Sequence, residues 1–299
     1  MLAFLTTLRH PDNSSDYLRV ESLLKGTLAS INRQDHPDFC IIIVGNRCPS
    51  FVLPEKAIFV NVDFPAPSAI KSPNTERNSV LLDKGSKLAI AVLAGLEAEA
   101  THLMTADADD YFSCRLAGFI SHQPSAPGWY VDNGYQYSER RRLIREINGG
   151  FNDLCGSSLI YRADLLDAPS ISIQSSQEEV LARFGHDNVL SLLGSHRLMR
   201  RHLEGLGQPL TPLPFPGAIY NVDTAENWSG NTFHNIGRPV SASIAEEFGL
   251  SSGRPMDFLR CASGIATMPA TRAWRFTAQL WQSRYEASHS EQRSQEPPA

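Results

Sequence analysis

Residues 101–110 read THLMTADADD. Thr101–Thr105 is a short run suited to a strand, and three acids, Asp107, Asp109 and Asp110, follow it within four residues. A strand that ends this way carries its acids to the carboxyl edge of a sheet, where open α/β folds bind ligands. Asp107 and Asp109 are two apart, so in an extended or tightly turning segment their carboxylates can share one hard divalent cation. Three crowded carboxylates repel one another unless a cation or a proton compensates them. The same spacing also reads as a solvated acidic turn that caps the next helix.

Upstream, the pattern alternates. Ala3–Leu8 reads as a buried strand, and the apolar positions Tyr17, Val20, Leu24, Leu28 and Ile31 recur at helical spacing behind Ser14 and Ser15. Cys40–Val44 (CIIIV) is a continuous apolar strand that wants a layer on each face, and Gly45-Asn46 halts it. Ala57–Val62 is a weaker strand, Pro65–Asn78 a proline-rich connection, and Asp83–Ala100 a helix. Strands joined by crossovers of this length predict an α/β organisation with a mainly parallel central sheet flanked by helices. After Asp110 the rhythm loosens. Strands are expected at 128–132, 135–137, 158–161 and 218–222, and helices at 178–184 and 189–193. The expected division is a catalytic domain over 1–240, a mostly helical appendage over 241–287 and a disordered tail over 288–299.

The chain has 299 residues, 27 basic against 32 acidic, and a formal charge of -5. That balance offers no overall attraction to nucleic acid, and no nucleic-acid partner is expected. Five scattered cysteines lack the paired spacings of a zinc site or a disulfide scaffold, which fits a reducing compartment. No run approaches a membrane span, and Arg9 interrupts the first apolar stretch too early for a signal peptide. A cytoplasmic protein is expected, with peripheral contact at the inner face of the membrane left open. Arg140–Arg142 with Arg145, and the aromatics Trp274, Phe276, Trp281 and Tyr285, are each read first as a solvated face and as core packing, and second as contacts for a lipid-linked acceptor.

Taken in order, CIIIV (40–44), LDKGSKLAIAVLAGL (82–96), TADADD (105–110), GGFNDLCGSSLIYRADLL (149–166) and GHDN (185–188) make residues 1–231 similar to glycosyltransferases of the A-type (GT-A) nucleotide-diphospho-sugar transferase fold, and most to the inverting family two group. The resemblance implies that Asp107, Ala108 and Asp109 form an Asp-any-Asp motif that holds manganese or magnesium against the donor diphosphate. Asp110 then orients the loop or contacts the sugar. It implies a floor for base and ribose at Thr6, Thr7 and Leu8, a ribose or phosphate contact from Arg9, and an acceptor for a uracil-type base at Asp63. Lys84 and Lys87 are placed beside the donor, with Lys87 the better contact, and Arg77 is a weaker candidate. Plain turn and surface roles remain the alternatives for Arg9, Asp63 and both lysines. Gly85 permits close approach there, although the chain lacks a phosphate-binding P-loop.

Gly150, Cys155, Gly156 and Ser157 supply small residues against which a sugar can lie, on the acceptor side. Cys155 is not a nucleophile, since no base is placed for it. Asp187 aligns with the acid that takes the acceptor's proton in inverting relatives, while His186 stands where a second acid is usual and either orients Asp187, binds the acceptor or takes the proton itself. A retaining mechanism needs no such base, and His234 is then a candidate metal ligand. The implied activity is a metal-dependent, inverting transfer of a hexose from a UDP-sugar to a carbohydrate, glycolipid or small-molecule hydroxyl. The alternatives are a retaining transferase, a sugar-phosphate nucleotidyltransferase and a non-catalytic nucleotide-sugar-binding module.

Overall fold

The computed structural model describes residues 1–68, 76–224, 226, 233 and 237–252. In chain order the elements are β1 (Leu2–Thr7), α1 (Tyr17–Ile31), β2 (Phe39–Gly45), β3 (Ala57–Asn61), α2 (Arg77–Glu97), β4 (His102–Thr105), β5 (Tyr111–Phe112), α3 (Leu116–Ser121), β6 (Gly128–Tyr130), β7 (Asn133–Ser138), β8 (Leu143–Asn148), α4 (Phe151–Leu154) and β9 (Leu159–Arg162). They continue with α5 (Gln177–Phe184), α6 (His186–Asn188), a π-helical turn at Val189–Leu193, α7 (His196–Gly205), β10 (Thr211–Pro212), β11 (Ala218–Val222), β12 (Arg238–Pro239) and α8 (Ala242–Phe248).

The strands form two sheets. The first has seven strands in the order β10-β6-β9-β4-β1-β2-β3. Its centre is parallel, with Leu2–Thr7 running beside Phe39–Val44 on one side and Leu2–Leu5 beside His102–Thr105 on the other. β9 is antiparallel to both β4 and β6. Because side chains alternate across a strand, Ile42 and Val44 face the layer that contains α2, while Ile41 and Ile43 face the layer of α1 and α3. Both faces are covered, which is why CIIIV is apolar throughout.

The second sheet has five strands in the order β12-β8-β7-β11-β5. β7 and β8 form an antiparallel hairpin, β11 lies parallel to β7, and β5 closes the edge antiparallel to β11. This corrects the expected fold class: the chain does not confine its strands to one central sheet with a helical appendage, and the GT-A assignment is not retained. After Asp110, where the pattern loosens, come all five strands of the second sheet, interleaved with β6, β9 and β10 of the first. Two strands of the second sheet, β5 and β12, are two residues long, too short to show any periodicity. Just beyond 241, Ile244, Ala245 and Phe248 of α8 pack against Tyr137, Ile144 and Ile219. The expectations for the appendage beyond 252, for 288–299, for the four C-terminal aromatics and for His234 lie outside the described residues.

α2 begins at Arg77, six residues before the helix expected from the sequence, so Val80 and Leu81 belong to its first turns. Gly85 is needed here for packing. A Cβ on it would stand 2.1 Å from the Val189 carbonyl oxygen, and one on Gly194 would stand 2.3 Å from that of Leu81. Helix α2 and the π-helical turn therefore meet backbone against backbone.

Candidate functional site

Strand order 3-2-1-4 in the first sheet means that the chain moves outward from β1 and then returns to its other side at β4. The carboxyl ends of β1 and β4 thus diverge into loops on opposite sides, the crevice in which open α/β sheets take ligands. A cavity of about 330 Å³ lies there, lined by Leu8 and Arg9 after β1, by Asp107, Ala108 and Asp109 after β4, and by Lys84 of α2. Val20 and Leu23 of α1 and Val80 and Leu81 of α2 add apolar wall.

The acidic loop is held from below. The Asp107 amide donates to Ser157 Oγ at 2.8 Å, and Thr105 Oγ1 donates to the Gly156 carbonyl at 2.7 Å. Asp110 is wholly buried. It accepts from Ser157 Oγ at 2.6 Å, from Cys155 Sγ at 3.1 Å and from the Asn221 amide at 2.9 Å, tying the loop to β11. Burial, then the charges of Asp109 and Asp107, push its carboxyl well above the usual carboxylate range. Burial and Asp110 likewise push the Cys155 thiol up, which makes it a poor nucleophile.

Asp107 is not free. Its Oδ1 lies 2.5 Å from Lys84 Nζ. Burial pulls the Lys84 ammonium down, but the Asp107 carboxylate outweighs it and holds it above its ordinary value. Asp109 is pushed up to about 7, by burial first and by Asp107 second, with Lys84 and Arg9 acting against both. The expected reading of these residues as an Asp-any-Asp manganese motif is not supported beside the two-sheet architecture, and Asp107 is here paired with Lys84. Gly156 makes the pair fit, because a Cβ there would come within 2.7 Å of Asp107 Oδ2 and 3.2 Å of Lys84 Nζ.

The two lysines exchange the roles expected of them. Lys84 lines the cavity, whereas Lys87 is fully buried and donates to Asp83 Oδ2 at 2.8 Å and to the Leu8 carbonyl at 2.9 Å. Burial lowers the Lys87 ammonium, and Asp83 opposes that shift. Arg9 lines the cavity, with Nη1 2.8 Å from Glu226 Oε2 and Nη2 2.7 Å from the Glu226 carbonyl oxygen. Ser15 Oγ meets the other oxygen of Glu226 at 2.7 Å. Thr6 is buried inside the sheet, and Thr7 lies at the cavity.

Other expected positions fall elsewhere. Asp63 is exposed and does not line the cavity. Gly150 takes a left-handed conformation (φ 74°) ahead of α4, while Cys155 and Ser157 are buried beneath the loop. Asp187 is fully exposed, His186 Nδ1 lies 3.5 Å from its Oδ1, and neither lines the cavity. Ser195, His196 and Arg197, at the start of α7, do line it, as do Arg77 and Glu226. Nothing in the local pattern singled out 195–197 or Glu226, since both reach the cavity through contacts between distant parts of the chain.

No family model matches the chain, and no curated protein matches it. Among solved structures, it is similar to a crystal structure of S. aureus TarS 1-349 (13% identity, 74% of this chain and 60% of that chain, TM-score 0.38). The same fragment in complex with UDP gives 15% identity, the same coverage and a TM-score of 0.39. A crystal structure of S. aureus TarS gives 14% identity over 74% of this chain and 36% of that chain, with a TM-score of 0.36. The chain thus spans at most 60% of each of these structures. Likeness at this level assigns neither family nor activity, and the resemblance to the A-type family two group is not carried forward.

Among the described residues, no helix is long and apolar enough to cross a membrane.

Proposed function

We propose that the chain is a glycosyltransferase that binds a nucleotide-diphosphate sugar in the cavity between the ends of β1 and β4 and moves the sugar to a hydroxyl acceptor. One observation carries this reading. The cavity at the point where strand order reverses combines apolar walls with Arg9, Arg77, Lys84 and Arg197, beside carboxylates that can accept from sugar hydroxyls. A sugar nucleotide presents the complementary groups: a flat base, a diphosphate and a ring of hydroxyls. Lys84 and the arginines hold the diphosphate, and their charge stabilises it as it departs. Val20, Leu23, Val80 and Leu81 provide surface for the base. The acceptor is a carbohydrate, a glycolipid or a small molecule, and a uridine diphosphate hexose is the first donor to try.

The test is release of nucleoside diphosphate from a panel of sugar nucleotides, run with magnesium and with chelator because Asp107 and Asp109 both face the cavity. Donor-dependent release supports transfer, and the anomeric configuration of the product, read by nuclear magnetic resonance, distinguishes inversion from retention. Turnover of a nucleoside triphosphate with a sugar phosphate identifies a nucleotidyltransferase and overturns the proposal. Tight donor binding without turnover identifies a binding module and also overturns it.

A further inference from the structure

Inverting transfer to a hydroxyl requires a group that takes the acceptor's proton within the cavity, and most of the wall is already engaged. Asp107 is paired with Lys84, Asp83 with buried Lys87, and Glu226 with Arg9 and Ser15. Asp109 lies beside Asp107 on the side where a bound diphosphate adds further negative charge, which disfavours its carboxylate form. Asp187 and His186 lie outside the wall. His196 remains.

We infer, on the sugar-transfer reading above, that His196 is the catalytic residue that accepts the acceptor's proton. It opens α7 immediately after Ser195, on the same cavity wall as Gly156, Lys84 and Asp107. Among the described residues, its Nε2 makes one long contact, 3.5 Å, with the Asp153 carbonyl oxygen. A helix start disfavours a cation, so the ring rests neutral there. Burial first and Lys84 second lower its pKa, in keeping with a neutral imidazole at pH 7; Asp107 and the Asp153 carbonyl act the other way, and the neighbouring Arg197 again lowers it.

In the step, the acceptor oxygen forms a bond to the anomeric carbon as the bond from that carbon to the phosphate oxygen breaks. The electron pair of the broken bond leaves on the diphosphate. The acceptor's proton passes to a ring nitrogen of His196, and the resulting imidazolium stands beside a leaving group of opposite charge.

His196→Ala is the first variant and His196→Gln the second, each checked by thermal melting and by calorimetry with uridine diphosphate. Loss of the base should lower the transfer rate roughly 10²- to 10⁴-fold while donor affinity stays within about threefold. Added imidazole should restore transfer by His196→Ala at least tenfold, because a free base can enter the space left by the ring. If both variants transfer within about threefold of the unaltered chain, or if imidazole restores nothing in a variant that melts normally, the assignment of His196 is overturned. If the unaltered chain transfers no sugar from any donor, the sugar-transfer reading itself falls.

Discussion

Replacing Gly85 by alanine sets two effects of known sign against each other. Within a helix, alanine is favoured over glycine by about 1 kcal/mol, so propensity alone predicts a more stable α2. The new Cβ, however, would stand 2.1 Å from the Val189 carbonyl oxygen and 2.9 Å from the Gly194 amide nitrogen, where ordinary contact begins near 3.4 Å. Both neighbours are backbone, so no side chain can rotate aside, and the π-helical turn must withdraw by more than 1 Å. Forced insertions of this kind cost about 1–3 kcal/mol in side-chain cores, and a backbone-to-backbone contact belongs at or above the top of that range. The net expectation for Gly85→Ala is a loss of about 2 kcal/mol, which for a chain of this size lowers Tm by roughly 3 °C. Ser195 and His196 follow directly on this turn, so uridine diphosphate affinity should fall as well. Gly194→Ala opens the same contact from the other side, and the double variant should cost less than the two single losses added together. Melting curves and calorimetry on all three variants provide the measurement. A Tm for Gly85→Ala equal to or above that of the unaltered chain would refute the close-contact reasoning.

Lys84→Met and Lys87→Met should separate binding from folding. Lys87→Met strands Asp83 as an uncompensated buried charge and should cost about 3–5 kcal/mol in denaturant unfolding, whereas Lys84→Met should melt nearly unchanged but bind uridine diphosphate roughly 10- to 100-fold more weakly, the worth of a charged hydrogen bond. Asp109 has a folded-state pKa of about 7, above its unfolded value near 4, so its contribution to stability is complete in acid and is lost as pH rises through 7. Tm measured from pH 5 to 8 should therefore fall more steeply for the unaltered chain than for Asp109→Asn, and parallel curves would contradict the shift. Asp187→Asn, at a fully exposed position off the cavity, should leave melting and transfer rate within about twofold, and a hundredfold slower transfer would return Asp187 to the site.

Much of the first sheet is legible in the residues themselves. A short, β-branched apolar run such as CIIIV, halted by Gly45-Asn46, suits a strand covered on both faces, and the helical spacing from Tyr17 to Ile31 specifies α1 without outside help. The position of the acids at a strand end follows from the same local reasoning, and they do line the cavity. What each acid does there does not follow. Asp107, Asp109 and Asp110 are near neighbours of one chemical type, yet one meets Lys84, one faces the cavity and is pushed toward neutrality, and one is buried beneath Ser157 and Cys155. The strand end fixes where the loop begins, but burial differs from residue to residue within it, and burial decides ionisation. Lys84 and Lys87 differ for a related reason. Both lie on α2, but Lys87 is one turn beyond Asp83 and points inward to the Leu8 carbonyl, a partner that only the packing of α2 over β1 supplies. Apart from the local β7–β8 hairpin, the second sheet and the entry of His196 into the cavity come from pairings between residues dozens of positions apart. Local periodicity carries no record of such pairings, because their free energy arises only once the intervening chain has folded between them.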